Sequence, residues 1–237
     1  MVCTNGLFNL NEAIAICLYF TVIGYKFLCF GYFMLIRFRK TKRMYWLYFS
    51  LFFIFLAASR VFYMMMDFFF GGDPEKLVAW RFANLSGWLS VAMLSGILST
   101  LLFTGDSKLH HVIKKIFPLV PIGIGIFIMF IPDIWISDPL GLFGWGTGKL
   151  VLNVIVLPIY IVLLPFMFFY LAKRSAGTLQ RSFLLNGIGL LLYYVVRAVQ
   201  PVLITMTGSG TALMLPPLLI LLSILIITFA NQYESLK

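Results

Sequence analysis

Charge is scarce in this chain. Only 11% of its 237 residues are Asp, Glu, Lys or Arg, against 62% hydrophobic side chains. A typical soluble domain carries about a quarter charged residues, so an ordinary soluble fold is excluded. Cysteine is scarcer still. Cys3, Cys17 and Cys29 form an odd set with no CxxC spacing and no His-rich partner, which signals neither a disulfide framework nor a metal site. Their expected role is that of small apolar side chains in the interior. The catalytic signatures are absent too: no Ser/His/Asp set, paired carboxylates, HExxH or Gly-rich phosphate loop can be assembled. His110 and His111 are adjacent, so on a helix they diverge, and no third metal ligand stands near them in sequence. Neither an enzymatic activity nor a cofactor is expected. Met1–Asn11 has no Lys or Arg, and the apolar stretch behind it is too long for a signal sequence, so no cleavable leader is expected.

What the chain does have is seven long apolar stretches, near Ala13–Ile36, Met44–Phe69, Leu77–Phe103, Val112–Ile131, Leu150–Leu171, Ser182–Met206 and Thr211–Ala230. About 20 apolar residues cross the hydrocarbon layer as a helix. A spanning β-barrel needs shorter segments with two-residue alternation, which runs such as Leu215–Ile227 lack. The expected fold is therefore all-α, a polytopic seven-transmembrane helix bundle. The longest loop, Pro132–Lys149, is too short to fold alone, so residues 1–237 are expected to form a single transmembrane domain.

The net charge of +10 is distributed by loop. Arg37, Arg39, Lys40, Lys42 and Arg43 fill the first loop, Lys108, Lys114 and Lys115 flank the third, and Lys173, Arg174 and Arg181 fill the fifth. The second and fourth carry Asp73, Glu75, Asp133 and Asp138 against Lys76 and Lys149, and the sixth is uncharged. Lys and Arg gather in cytoplasmic loops, which predicts the N-terminus outside and the C-terminus cytoplasmic, in a multi-pass protein of the cell membrane. Topology and attraction to anionic lipid headgroups account for the basicity, and no nucleic-acid partner is expected.

Within span 3, Ala83, Gly87, Ser95 and Ser99 recur at multiples of four, interrupted by Val91, and predict a close-packed seam. Prolines 118, 121, 158, 165, 216 and 217 are expected to bend or loosen their helices. Tyr45, Trp46 and Tyr48, with Trp135 and Trp145, are expected as interfacial anchors.

Charged side chains deep in a bilayer cost about 2.5–3.5 kcal/mol each on insertion scales, so each needs a partner or a use. Arg60 lies about 22 Å along span 2 from its basic end, and Arg197 at nearly the same height in span 6. Arg60, Tyr63 and Asp67 share a face at i, i+3, i+7; Tyr193, Arg197 and Gln200 do so in span 6, with Tyr194 alongside; Arg81, Asn84 and Trp88 make a third stripe. If these stripes converge, they line an outward-facing polar pocket, net positive, with guanidinium forks suited to carboxylates and phosphates. Its candidate ligand residues are Arg60, Tyr63, Asp67, Arg81, Asn84, Tyr193, Arg197 and Gln200, and Glu12 and Asn153 could join them. The structural alternative pairs Asp67 with Arg81 across the hairpin and sets Arg60 and Arg197 on backbone carbonyls. Lys26, near the middle of span 1, is expected to extend its stem toward the headgroups.

Spans 2 and 6 run in the same direction, and Arg43–Arg60 and Arg181–Arg197 are spaced 17 and 16 residues apart, as a parallel 3+1+3 repeat would arrange them. The topology resembles microbial rhodopsins, G-protein-coupled receptors and 3+1+3 sugar transporters. The residues each needs are missing. Thr211–Ala230 has no retinal lysine, Ser99-Thr100-Leu101-Leu102 stands where a receptor has Asp/Glu-Arg-Tyr, and Gln200-Pro201 reverses the transporter's Pro-Gln. Two functions remain: a receptor-like sensor or partner-binding membrane subunit, or a carrier for a small anionic solute. Expected partners are the lipid bilayer, an anionic small molecule or lipid headgroup, and a cytoplasmic or membrane protein docking on the basic loops. The carrier has a shortage to answer, because the inner halves of spans 2 and 6 offer only Ser50, Asn186, Gly187 and Gly189.

Overall fold

A computed structural model describes residues 10–103, 108–136, 148, 151–207 and 210–232. Every element among them is helical. Helix α1 runs over Leu10–Gly31 and continues through a π-helical stretch, Tyr32–Phe38, to a last turn, Arg39–Thr41. Helix α2 covers Met44–Met64 and ends in a π-helical turn, Met65–Phe69. Helices α3 (Asp73–Leu102) and α4 (Lys108–Phe130) follow, then a single turn, Asp133–Ile136. A π-helical segment, Val151–Val156, leads into α5 (Leu157–Arg174), and α6 (Gly177–Thr207) and α7 (Gly210–Gln232) complete the set. All seven are long and apolar enough to cross a membrane.

The boundaries follow local chemistry. Lys42 adopts a left-handed conformation (φ 53°) between α1 and α2, and Gly177 (φ 67°) does the same where α5 gives way to α6. Helix α3 starts with Asp73-Pro74-Glu75: proline suits the first turn, where its missing N–H costs nothing, and the acids complement the positive end of the helix dipole. Lys173 and Arg174 close α5, where cations are favoured. Pro118, Pro121, Pro165, Pro216 and Pro217 sit inside helices that continue through them.

The chain groups into two compact units. Among the described residues, one takes Ile23–Leu157; the other takes Leu10 to Val22 together with those from Pro158 onward. The division falls inside α1, between Val22 and Ile23.

In the first unit α3 packs against both α2 and α4. The seam is present: Ala83, Val91, Ser95 and Ser99 are buried, and Gly87 is half-buried. The serines tolerate this setting by bonding back to their own helix, Ser95 Oγ to the Val91 carbonyl at 2.9 Å and Ser99 Oγ to the Gly96 carbonyl at 2.8 Å. Where α1 meets α2, Phe33 stacks on Trp46 (5.6 Å) and Phe53 (5.7 Å) and meets Phe49 edge-on at 4.9 Å. Trp46 is thus a core residue, not the interfacial anchor its position suggested. Its ring faces Phe33 on one side, and the Arg37 guanidinium sits 5.2 Å from its centroid. Tyr45 and Tyr48 are half-buried. Trp145 and the side chain of Trp135 lie outside the described residues.

In the second unit α6 and α7 approach so closely that a Cβ on Gly189 would lie 2.6 Å from Ile227 Cγ1 and 3.0 Å from the Ser223 carbonyl oxygen. A Cβ on Gly187 would meet the Phe169 ring of α5 at 2.6 Å. Of the cysteines, Cys29 is buried as expected. Cys17 is exposed, a correction explained by its place on the face of α1 opposite the buried row described below. Cys3 lies outside the described residues.

Candidate functional site

The buried face of α1 is built from Ala15, Tyr19, Val22, Lys26, Cys29 and Phe33, alternating spacings of four and three that keep one stripe of a helix turned inward. Lys26 belongs to that stripe and is 1% exposed. Its Nζ donates to the Leu56 carbonyl of α2 at 3.3 Å. The expectation that its stem extends to the headgroups is therefore overturned: the Cα–Cβ direction is set by the stripe, and the ammonium goes where the stripe points. In α2 the Leu56 carbonyl is the acceptor of the Arg60 backbone N–H, so the Lys26 ammonium sits at the level of Arg60. Arg60 is itself buried. Among the described residues, these two are the buried charged side chains, and both are basic. One hydrogen bond from Ser50 Oγ to the Phe30 carbonyl (3.1 Å) further ties α2 to α1.

The three predicted stripes fare differently. Along α2, Arg60 and Met64 are buried, Tyr63 is half-buried and Asp67 is exposed. The i, i+3, i+7 count assumes 3.6 residues per turn, whereas Asp67 lies in the π-helical turn Met65–Phe69, whose wider winding carries it off the buried face. Arg81 is half-buried and reaches to the end of α4, where its Nη2 donates to the Ile131 carbonyl at 2.6 Å and pairs with Asp133. Its carboxylate partner is thus Asp133, not Asp67. Asn84 is buried and bonds back to the Trp80 carbonyl at 2.8 Å. The predicted residues Arg60, Tyr63, Asp67, Arg81 and Asn84 all belong to the first unit.

Tyr193, Arg197 and Gln200 belong to the second. Tyr193 and Gln200 are buried, and Arg197 is partly so. Arg197 Nη1 donates to the Tyr193 hydroxyl at 3.5 Å, and Gln200 Nε2 donates to the Tyr19 hydroxyl at 3.0 Å. Tyr194, packed edge-on against Tyr193 with ring centroids 5.5 Å apart, is buried as well. The side chains of Glu12 and Asn153 lie outside those described.

Toward the basic-loop end of the same unit lies a second buried polar pair. Asn231 Nδ2 donates to Asn186 Oδ1 at 2.8 Å and to the Ile227 carbonyl, while Asn186 Nδ2 donates to the Ser182 carbonyl at 3.0 Å. Sequence reading left out Asn231 because it falls just beyond the last apolar run. Its signal was there: Ser223, Ile227 and Asn231 are spaced by four and share a face.

A cavity of about 400 Å³ opens between the end of α2 and the start of α3, lined by Phe62, Met65, Phe70, Pro74, Glu75 and Val78 among others. None of the predicted site residues lines it. Its apolar wall suits a lipid chain rather than polar chemistry.

The Arg81–Asp133 pair gives a first prediction. Its side chains are 23% and 66% exposed, and exposed ion pairs contribute about 0–1 kcal/mol. Asp133→Asn is expected to lower the melting temperature slightly, with the difference vanishing at high salt. Arg81→Leu is expected to cost more, because it also removes the bond to Ile131.

Seven helices among the described residues are long and apolar enough to cross a membrane, which is consistent with a multi-pass α-helical membrane protein. No protein-family model matches the chain, and no curated protein or solved structure is significantly similar to it.

Proposed function

We propose that this protein is a receptor-like membrane sensor that recognises an anionic small molecule or lipid headgroup through its membrane-level arginines and passes the event along α1. The observation that carries this reading is the placement of Tyr19 and Lys26. They are seven residues apart on one face of α1. Tyr19 is bonded to Gln200 in one unit and Lys26 to the α2 backbone in the other. A change at the Arg197–Gln200 face would be felt by Tyr19 and carried along a continuous helix to Lys26 and the level of Arg60. The basic loops, beginning with Arg37–Arg43, would present the result to a cytoplasmic or membrane protein partner. The candidate ligand residues are Arg60, Tyr63, Asp67, Arg81 and Asn84 in the first unit and Tyr193, Arg197 and Gln200 in the second, each taken by itself.

A carrier is the second reading, and one observation favours it. The Asn186–Asn231 pair with Ser182 extends the buried polar row of α6 toward the basic-loop end, answering in part the shortage of polar groups there. Both readings can be tested in one preparation. The purified protein is reconstituted into vesicles with nitroxides at Thr41 and Leu179, and inorganic phosphate and glycerol phosphate are added. The sensor reading expects a shift in the inter-label distance without uptake of labelled solute, lost in Arg197→Gln. Uptake above the protein-free background would reverse the ranking.

A further inference from the structure

The cavity between the end of α2 and the start of α3 lies wholly within the first unit and uses none of the anion-site candidates. Its volume of about 400 Å³ is at the lower end of the range for small-molecule pockets, about 300–1,000 Å³, which favours one slender chain over a two-tailed phospholipid. The wall is apolar and rich in rings. Phe62 and Phe82 stack with centroids 5.4 Å apart, and Phe70 adds a third ring. Phe62 belongs to a helix apolar enough to cross a membrane, whereas Pro74 and Glu75 belong to the first turn of α3, beyond Gly71 and Gly72. The cavity therefore runs from a lipid-compatible surface to a polar turn.

One residue of the lining is ionisable. Glu75 is exposed, and among the described residues its carboxylate has neither a hydrogen bond nor an ion pair. Arg81, less than two turns further along α3, is committed to Asp133. Because the wall is apolar, Glu75 gives it the methylene stem and leaves the carboxylate at the rim. A tail entering this cavity from a bilayer gains nothing by leaving water, since lipid already surrounded it. Selection falls to the fit of the tail and to charge. A free carboxylate at the rim attracts an ammonium and repels an anionic head, and aromatic rings favour a cation further. We propose that this cavity binds a single-chain cationic amphiphile, its tail against Phe62 and Phe82 and its ammonium on Glu75. The site differs from the anion-sensing arginines both in its residues and in the sign of the charge it takes.

The test uses the full chain in phosphatidylcholine nanodiscs and an alkylamine with a photoreactive diazirine in its tail. The comparison probe is the same chain ended by a carboxylate, present at equal concentration in the membrane. Mass spectrometry maps the labelled residues, and the ratio of the two probes is read within each variant, so that a change in stability does not enter. Wild type is expected to be labelled around Phe62, Met65, Val78 and Phe82, about tenfold more by the amine, since the comparison sets an attraction against a repulsion. Glu75→Gln is expected to erase that preference. Asp73→Asn, a neighbouring acid outside the lining, tests the general charge of the turn and is expected to keep it. Val78→Trp places a large ring at an exposed position of the wall and is expected to reduce labelling by both probes. Equal labelling of the wild type by the two probes overturns the proposal, as does labelling confined to other sites. So does a preference that survives in Glu75→Gln, a preference lost equally in Asp73→Asn, or labelling undiminished in Val78→Trp.

Discussion

Valine at position 189 is expected to force α7 away from α6 and to destabilise the protein more than any other single change considered. The Cβ alone would sit 2.6 Å from Ile227 Cγ1, and behind that side chain are two atoms that cannot rotate aside, the Ser223 carbonyl oxygen at 3.0 Å and the Ile227 nitrogen at 3.3 Å. Overpacking a filled interior costs about 1–3 kcal/mol even where side chains can shift. Here the helix backbones must separate. Separation would also stretch the 2.8 Å bond between Asn186 and Asn231, and interhelical hydrogen bonds in membranes contribute about 0.6 kcal/mol each on average. The combined loss is expected to reach about 3 kcal/mol, read as a fall in melting temperature of the purified protein. Gly24→Ala is the control, because a Cβ there meets nothing within 4 Å. Equal melting temperatures for Gly189→Val and wild type would refute the close approach of α6 and α7.

The second large effect has the opposite sign for stability. Lys26→Met is expected to raise stability by about 1 kcal/mol while abolishing the loop movement that the sensor reading proposes. Methionine matches the lysine stem in length and fills the same space between α1 and α2. It removes an ammonium that is 1% exposed, and a charge in the hydrocarbon layer costs about 2.5–3.5 kcal/mol on insertion scales. A residue kept against that gradient is kept for a use. Melting temperature and the Thr41–Leu179 distance response, measured on one sample, separate the two effects. A destabilised Lys26→Met would mean that the ammonium is a structural tie.

The seven spans were readable from hydropathy because lipid imposes one rule on all of them. Their ends were not. The apolar run of span 1 stops at Ile36, but α1 continues through Arg37–Thr41, since basic side chains do not interrupt a helix. Likewise α3 begins at Asp73 and α6 at Gly177, ahead of their apolar runs: hydropathy reports the solvent, whereas Pro74 and the left-handed Gly177 set the ends. The candidate site was legible in its components and less so in its partnerships. Gln200 could be placed on a face from spacing, but its bond to Tyr19 joins residues 181 positions apart, and no local pattern encodes that. Asp67 was misplaced by a π-helical turn that a 3.6-residue count cannot anticipate. Lys26 could have been placed correctly, because the four-three stripe from Ala15 to Phe33 runs through it.

The boundary inside α1 bears on how the molecule is made. The stretch from Ile23 to Thr41 finds its packing partner as soon as α2 has been synthesised. The stretch from Leu10 to Val22 belongs with helices that leave the ribosome last. Until α6 arrives, the Tyr19 hydroxyl lacks its bond from Gln200. A nascent chain halted after α4 should therefore already protect Lys26 from chemical labelling while Tyr19 stays reactive, and completion of α7 should close the second site.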